Sequence, residues 1–160
     1  MRIFYRSRRV GKNGKEFWMY KIRTLKLGAD QHVFAQQAVY TISGKFFRKF
    51  KLDELPQIWN VLKGDMALVG PRPEESRNIE VLPFDLREQL LSVKPGITSL
   101  SALHFIDEER ILAESENVSR DFWAKIKPMK ILLDVWYVQH RCLLLDIALI
   151  YLTIRRIIFK

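Results

Sequence analysis

The sequence is poor in cysteine: among 160 residues only Cys142 occurs, in an apolar stretch. That excludes an internal disulfide and any clustered zinc site of cysteine type, and it points to a reducing, cytosol-facing location. Acidic residues are also short, 18 against 27 Lys and Arg. Long apolar runs are missing. The longest near the C-terminus, "IALIYLTI", has 8 residues and follows Asp146, whereas a bilayer span needs about 20. The N-terminal "MRIFYRSRRV" is basic but lacks the apolar run and cleavage site of a secretion signal. No internal repeat, low-complexity tract or Gly/Ser linker marks a second domain, so residues 1–160 read as one.

What is present is a core-forming composition, 48% hydrophobic, with a formal charge of +9. The charge is unevenly spread. Residues 1–51 hold 13 Lys and Arg against 2 acids, residues 52–119 hold 6 against 13, and residues 120–160 hold 8 against 3. An excess of this size favours phosphate-bearing partners such as nucleotides, anionic lipids or nucleic acid. Nucleic acid is the weakest of these, because no recognised binding motif accompanies the charge and the acidic centre interrupts a continuous basic face.

The pattern predicts an α+β chain, mainly helical, with a short N-terminal β-hairpin and amphipathic surface helices. "RSRRVGKNGKEFWMYKIRTL" reads as two extended runs around Asn13-Gly14, a pair that tolerates the positive φ of a tight turn, with Trp18, Tyr20 and Ile22 alternating along the second run. Residues 31–50 are ambiguous, with "GKFFRKF" able to open a helix. From Asp53 onward, Leu55, Trp59 and Leu62 fall on one helical face, Pro56 lies in the first turn and Gly64 supplies the stop. Asp65 and Met66 cap and bury the helix end. Pro95-Gly96 reads as a turn, and "DEER" at 107–110 as a helix start on a solvated face. His32, His104 and His140 show neither triad nor metal spacing.

Asp53 and Glu54 therefore stand at a helix start, where unpaired N–H groups and the positive dipole end keep a carboxylate ionised and attract nearby anions. An ordinary N-cap explains the same residues. Downstream, "GPRPEE" holds Arg72 between Pro71 and Pro73, a stiff presentation suited to bidentate capture of a phosphate.

Together, "KLDELPQIWNVLKGDMALVGPRPE" resembles the signature block of the bacterial sugar transferases, the small monotopic polyprenyl-phosphate phosphoglycosyl transferases. The resemblance extends to "FYRSRRVGKNGKEFWMYKIRTL", "VKPGITSLSALHFIDEERILA" and "DVWYVQHRCLLLDIALIYLTI", covering nearly the whole chain. It implies transfer of a phosphosugar from a nucleotide-diphosphate sugar, a UDP-sugar by the family's leaning, to polyprenyl phosphate, as an initiating step of surface glycan assembly. It further implies Asp53 as covalent nucleophile, Glu54 as a catalytic residue and ligand of Mg²⁺, and Lys21, Arg48 and Arg72 as binders of the donor's phosphates. The place of work it implies is the cytoplasmic face of the bacterial inner membrane.

Trp136, Tyr137, the C-terminal Leu/Ile run and Arg155, Arg156 and Lys160 suit an amphipathic helix lying on an anionic surface, and a buried core helix explains the apolar residues as well. Family members usually carry a hydrophobic re-entrant membrane helix ahead of the "FYR" segment. The sequence begins at Met1, 3 residues before Phe4, so the expectation is a form lacking that helix, with a separate membrane-helix partner. "QQAVYTISG" replaces the usual Asp-Pro-Arg segment, and Lys51-Leu52 stands where Ser-Leu is common. The alternative function is a non-catalytic membrane-surface module that retains the fold.

Overall fold

The computed structural model describes residues 3–25, 44–113 and 115–159. Strands β1 (Phe4–Val10) and β2 (Glu16–Ile22) form an antiparallel hairpin in which Tyr5 faces Lys21 and Arg8 faces Trp18. Asn13 and Gly14 take φ of 56° and 76°, the left-handed conformation that the Asn-Gly pair tolerates. The alternation along β2 runs opposite to the Trp18/Tyr20/Ile22 set: Phe17 and Met19 are buried, while Trp18 is exposed with the guanidinium groups of Arg6 and Arg8 at 4.5 and 5.2 Å from its ring. With aromatic or apolar residues on both faces of the strand, neighbouring charges decided which face turned outward.

Helix α1 (Gly44–Lys49) carries "GKFFRK", whereas residues 31–43, including His32 and most of "QQAVYTISG", lie outside the described residues. The segment after Lys51 is not one α-helix but a 3-10 helix over Leu52–Gln57 that runs into α2 (Ile58–Leu62). Lys51 enters it with φ 54°, and no side chain caps it. Gly64, at φ 82°, ends α2, and Met66 is buried directly behind it. The face predicted by periodicity exists but points outward: Leu55, Ile58, Trp59 and Leu62 are exposed, and the buried residues of this segment are Asp53, Gln57 and Asn60. Asn60 explains the inversion. Its Nδ2 donates to the Trp18 carbonyl at 2.7 Å and its Oδ1 accepts from the Tyr20 N–H at 3.2 Å. The helix thus docks onto β2 through satisfied polar groups, which burial requires.

Strand β3 (Ala67–Val69) leads to α3 (Ser76–Glu80) and α4 (Phe84–Leu91). Strand β4 (Gly96–Thr98) lies parallel to β3, so Pro95-Gly96 opens a strand where a turn was expected. Then follow α5 (Leu100–His104), α6 (Glu108–Ala113), α7 (Val118–Asp121), a π-helical segment over Phe122–Ile126, α8 (Lys127–His140) and α9 (Leu143–Ile158). Glu108 of the "DEER" run is half-buried and ion-paired with Lys130, not solvated. The architecture is α+β, with a hairpin at one end and helices making up most of the chain.

Among the described residues the core has two centres. Phe17, Met19 and Met66, with Val61 and Ile97 against them, fasten the hairpin to α2. Val69, Tyr137 and Leu149, with Leu100, Leu103 and Leu145 around them, fasten β3, α5, α8 and α9. The Tyr137 hydroxyl donates to Asp146 at 2.6 Å, and burial followed by that bond pushes its pKa up. Helix α9 accordingly has one face in this core and another, with Leu143, Leu144, Ile147 and Tyr151, exposed.

Candidate active site

Among the described residues, five cationic side chains and two carboxylates converge on one cleft: Lys21, Arg23, Arg48, Lys51 and Arg72 with Asp53 and Glu54. Every site residue named from the sequence lines it. Lys21 arrives from the end of β2 on the same face as Met19, so packing of the hairpin aims it inward. Arg48 comes from α1, and the 3-10 helix brings the two acids. Among the described residues no group of three or more His, Cys, Asp or Glu could hold a metal ion.

The two acids differ in environment. Glu54 Oε1 accepts from Lys21 Nζ at 2.9 Å and from Arg72 at 3.5 Å. Burial alone would raise its pKa, but Lys21 and Arg72, helped by Lys51, outweigh this and hold Glu54 well below the usual carboxylate range. Lys21 is itself lowered, because burial and the neighbouring Arg72 oppose the pull of Glu54. Asp53 is also buried, and its Oδ1 has no hydrogen-bond partner among the described residues. Its pKa is raised, first by burial and then by Glu54, against Lys21, Arg48 and Lys51. This departs from the expectation of a helix start that favours the anion. The short 3-10 helix offers no capping bond, and desolvation dominates. The ordinary N-cap reading loses its support at the same point.

Arg72 is held more firmly than two prolines alone provide. Its backbone N–H donates to Asp134 Oδ2 at 3.1 Å, and Asp134 also accepts from Ser101 N–H at 3.2 Å and Ser101 Oγ at 2.9 Å. On the other side of the loop, the Pro71 carbonyl accepts from Gly96 N–H at 2.9 Å. The guanidinium therefore reaches the cleft from a fixed base, with Glu54 as its strongest charge partner. Asp134 and Ser101 escaped the sequence reading, although a lone acid within "ILLDVWY" was a usable sign. Tyr5, Arg23, Thr24 and Lys51 also line the cleft unforeseen. The cross-strand partnership of Tyr5 with Lys21 was the signal for the first.

As a donor set for Mg²⁺ the pair is adequate. That ion typically takes one or two carboxylates and completes its shell with substrate phosphates and water. Glu54 stays ionised, and Asp53 has a buried oxygen without a hydrogen-bond partner among the described residues.

Fold and cleft define an α+β protein with a cationic, carboxylate-bearing site suited to anionic ligands. The chain belongs to the bacterial sugar transferase family, whose sequence model matches residues 1–160. It is 35% identical over 160 residues to the uncharacterized sugar transferase EpsL of Bacillus subtilis (strain 168), covering 98% of this chain and 70% of that protein. It is 32% identical over 164 residues to the UDP-N-acetylgalactosamine-undecaprenyl-phosphate N-acetylgalactosaminephosphotransferase of Aeromonas hydrophila, and 36% identical over 166 residues to the UDP-glucose:undecaprenyl-phosphate glucose-1-phosphate transferase of Xanthomonas campestris pv. campestris. Those matches cover 98% of this chain, but only 35% and 31% of the two enzymes.

Proposed function

We propose that this chain transfers a phosphosugar from a UDP-sugar to polyprenyl phosphate in two displacements. The observation that carries this reading is the buried Oδ1 of Asp53, which has no hydrogen-bond partner among the described residues, in a cleft lined by Lys21, Arg23, Arg48, Lys51 and Arg72 and next to an ion-paired Glu54. In the first step an Asp53 oxygen attacks the phosphorus bearing the sugar. The bond from that phosphorus to the nucleotide oxygen breaks, and nucleoside monophosphate departs with the electron pair. In the second step an oxygen of the lipid phosphate attacks the same phosphorus and Asp53 leaves, giving a sugar diphospho-polyprenol. Desolvation makes Asp53 the more basic of the two acids and hence the better nucleophile. Lys21, Arg48 and Arg72 surround the oxygens on which charge develops. Glu54 orients Lys21 and Arg72 and would hold Mg²⁺, which supplies charge neutralisation to the diphosphate when bound.

Arg72→Lys tests the reading of the cations. Lysine keeps the charge and loses the planar fork, so release of UMP from a UDP-sugar in the presence of a short polyprenyl phosphate should slow by ~1.5–3 kcal/mol, the usual worth of a hydrogen bond to a charged group. Melting temperature should hardly change. Unaltered kinetics in both Arg72→Lys and Arg72→Ala would remove Arg72 from the site.

A lipid acceptor requires a protein that sits on the membrane, at the cytoplasmic face of the inner membrane in this reading. The exposed set Leu55, Ile58, Trp59 and Leu62 adjoins the acids on the same short segment, and β3, with Leu68 exposed, packs between α2 and α9. Among the described residues no helix is long and apolar enough to cross. In this reading the exposed apolar side chains insert at the surface, aided by the basic residues. Anionic phosphatidylglycerol vesicles should pull the protein down at low salt and release it only partly at high salt. Trp59→Glu should weaken binding by about tenfold or more at every salt concentration. Binding unaffected by Trp59→Glu would move the contact elsewhere, and the non-catalytic alternative predicts the same binding with no UMP release.

A further inference from the structure

The cleft has more wall than the reacting phosphates use. Beyond Lys21, it is closed by Tyr5 from the start of β1 and by Ile22, Arg23, Thr24 and Leu25 at the end of β2. Tyr5 is the cross-strand partner of Lys21, and partners on an antiparallel pair project to the same face. Tyr5 and Lys21 therefore line the same side of the cleft. Arg23, the first residue after β2, lines the same cleft. Its guanidinium carbon lies 5.2 Å from the centre of the Tyr5 ring. The platform is braced, because Arg23 N–H donates to the Ile3 carbonyl at 2.8 Å and closes the open end of the hairpin.

The geometry points to Tyr5 and Arg23 as the binding platform for the nucleoside base of the donor. This rests on the transfer reading above and adds a division of the cleft. The carboxylates with Lys21, Arg48 and Arg72 take the diphosphate, and the aromatic and guanidinium planes take the flat heterocycle. A phenol ring and a guanidinium both offer delocalised planar surfaces to a base, with Ile22 and Leu25 supplying apolar wall. Such a platform recognises a heteroaromatic ring as a class and leaves the choice among bases to other contacts, because every base has a π face.

The test compares a ligand that has a base with one that does not. Equilibrium binding of UDP and of inorganic pyrophosphate to the full chain in Mg²⁺ is measured by calorimetry for the parent protein, Tyr5→Phe, Tyr5→Leu and Tyr5→Ala. Loss of one base–aromatic stack corresponds to a roughly 5- to 150-fold rise in Kd. That rise is expected for UDP in Tyr5→Ala and Tyr5→Leu, with pyrophosphate unchanged and Tyr5→Phe close to the parent. An equal loss for UDP and pyrophosphate would assign Tyr5 to the phosphates or to the shape of the cleft and overturn the proposal, as would UDP binding unaltered in Tyr5→Ala. Failure of the parent protein to bind either ligand would take down the transfer reading as well. Should Tyr5→Ala not fold, Tyr5→Leu preserves the apolar bulk and reads the same contrast.

Discussion

Asp53→Asn is expected to abolish the phosphosugar adduct, slow transfer by roughly 10³-fold or more, and at the same time raise the melting temperature. The first two effects follow if Asp53 is the nucleophile, since removing the residue that forms the covalent bond leaves only binding and electrostatics. The check is mass spectrometry of the protein after incubation with a UDP-sugar and Mg²⁺ without lipid acceptor. One phosphosugar should appear on the Asp53 peptide of the parent and on no peptide of the variant. An adduct that persists in Asp53→Asn would transfer the role to another residue.

The rise in stability follows from the direction of the pKa. Burial lifts Asp53 above the ordinary aspartate value of 3.8, so the folded state holds that proton more tightly than the unfolded chain does. This contribution to stability is present below the unfolded pKa and disappears as pH rises through the folded one, leaving the ionised carboxylate as a cost at neutral pH. Asparagine removes that cost. Glu54 has the opposite sign: its folded pKa is depressed, so its contribution is present above the unfolded value, near 4.5, and persists until pH falls below the usual carboxylate range. Transfer should therefore decline on acidification through the raised pKa of Asp53 while the pairs of Glu54 with Lys21 and Arg72 still support the fold. Rate and melting curves recorded over the same pH series would separate the two, and an activity loss that coincides with unfolding would contradict the assignment.

Gly96→Ala should be the most damaging single methyl added to the fold. A Cβ at this position would lie 2.1 Å from the Gly70 nitrogen, 2.4 Å from the Thr98 oxygen and 2.7 Å from the Gly70 oxygen. All three are backbone atoms, two of Gly70 immediately after β3 and one of Thr98 in β4, and none can yield without separating the paired strands. At Gly70 an added Cβ would meet the Lys94 carbonyl at 2.4 Å and the Gly96 nitrogen at 2.9 Å, so the closeness is mutual. Overpacking of a rigid site costs about 1–3 kcal/mol or more, and here the ladder is lost as well. Thermal unfolding should drop by roughly 10 °C for a domain of this size. Gly96 N–H also holds the Pro71 carbonyl, so surviving folded protein should show slower transfer through a misplaced Arg72. Gly14→Ala makes a useful contrast. Nothing lies within 4 Å of its Cβ position, and only the strain of φ +76° remains, worth about 1 kcal/mol. Similar melting temperatures for the two variants would show that the β3–β4 contact is not rigid.

Local chemistry made part of this legible in the sequence. The hairpin follows from Asn13-Gly14 because left-handed φ is a property of the residues that adopt it. Gly64 ends its helix for the same reason, and the closeness of Asp53 to Glu54 is covalent. Arg72 is stiff because prolines restrict their own φ and that of their neighbours. Other features depended on which surfaces found partners. Periodicity revealed an apolar face on the segment carrying Leu55, Trp59 and Leu62 but could not show that the polar side is the buried one. That was decided by the Trp18 carbonyl and Tyr20 N–H, which Asn60 satisfies across 42 and 40 residues of sequence. Strands of 3 residues such as β3 and β4 are too short to display a period, and their pairing comes from the room that two glycines leave. Asp53 and Glu54 are neighbours in the chain with nearly the same intrinsic acidity. Only tertiary structure could push one pKa up and the other down, because burial and the approach of Lys21 and Arg72 act on the folded positions of the carboxyl groups, not on their place in the sequence.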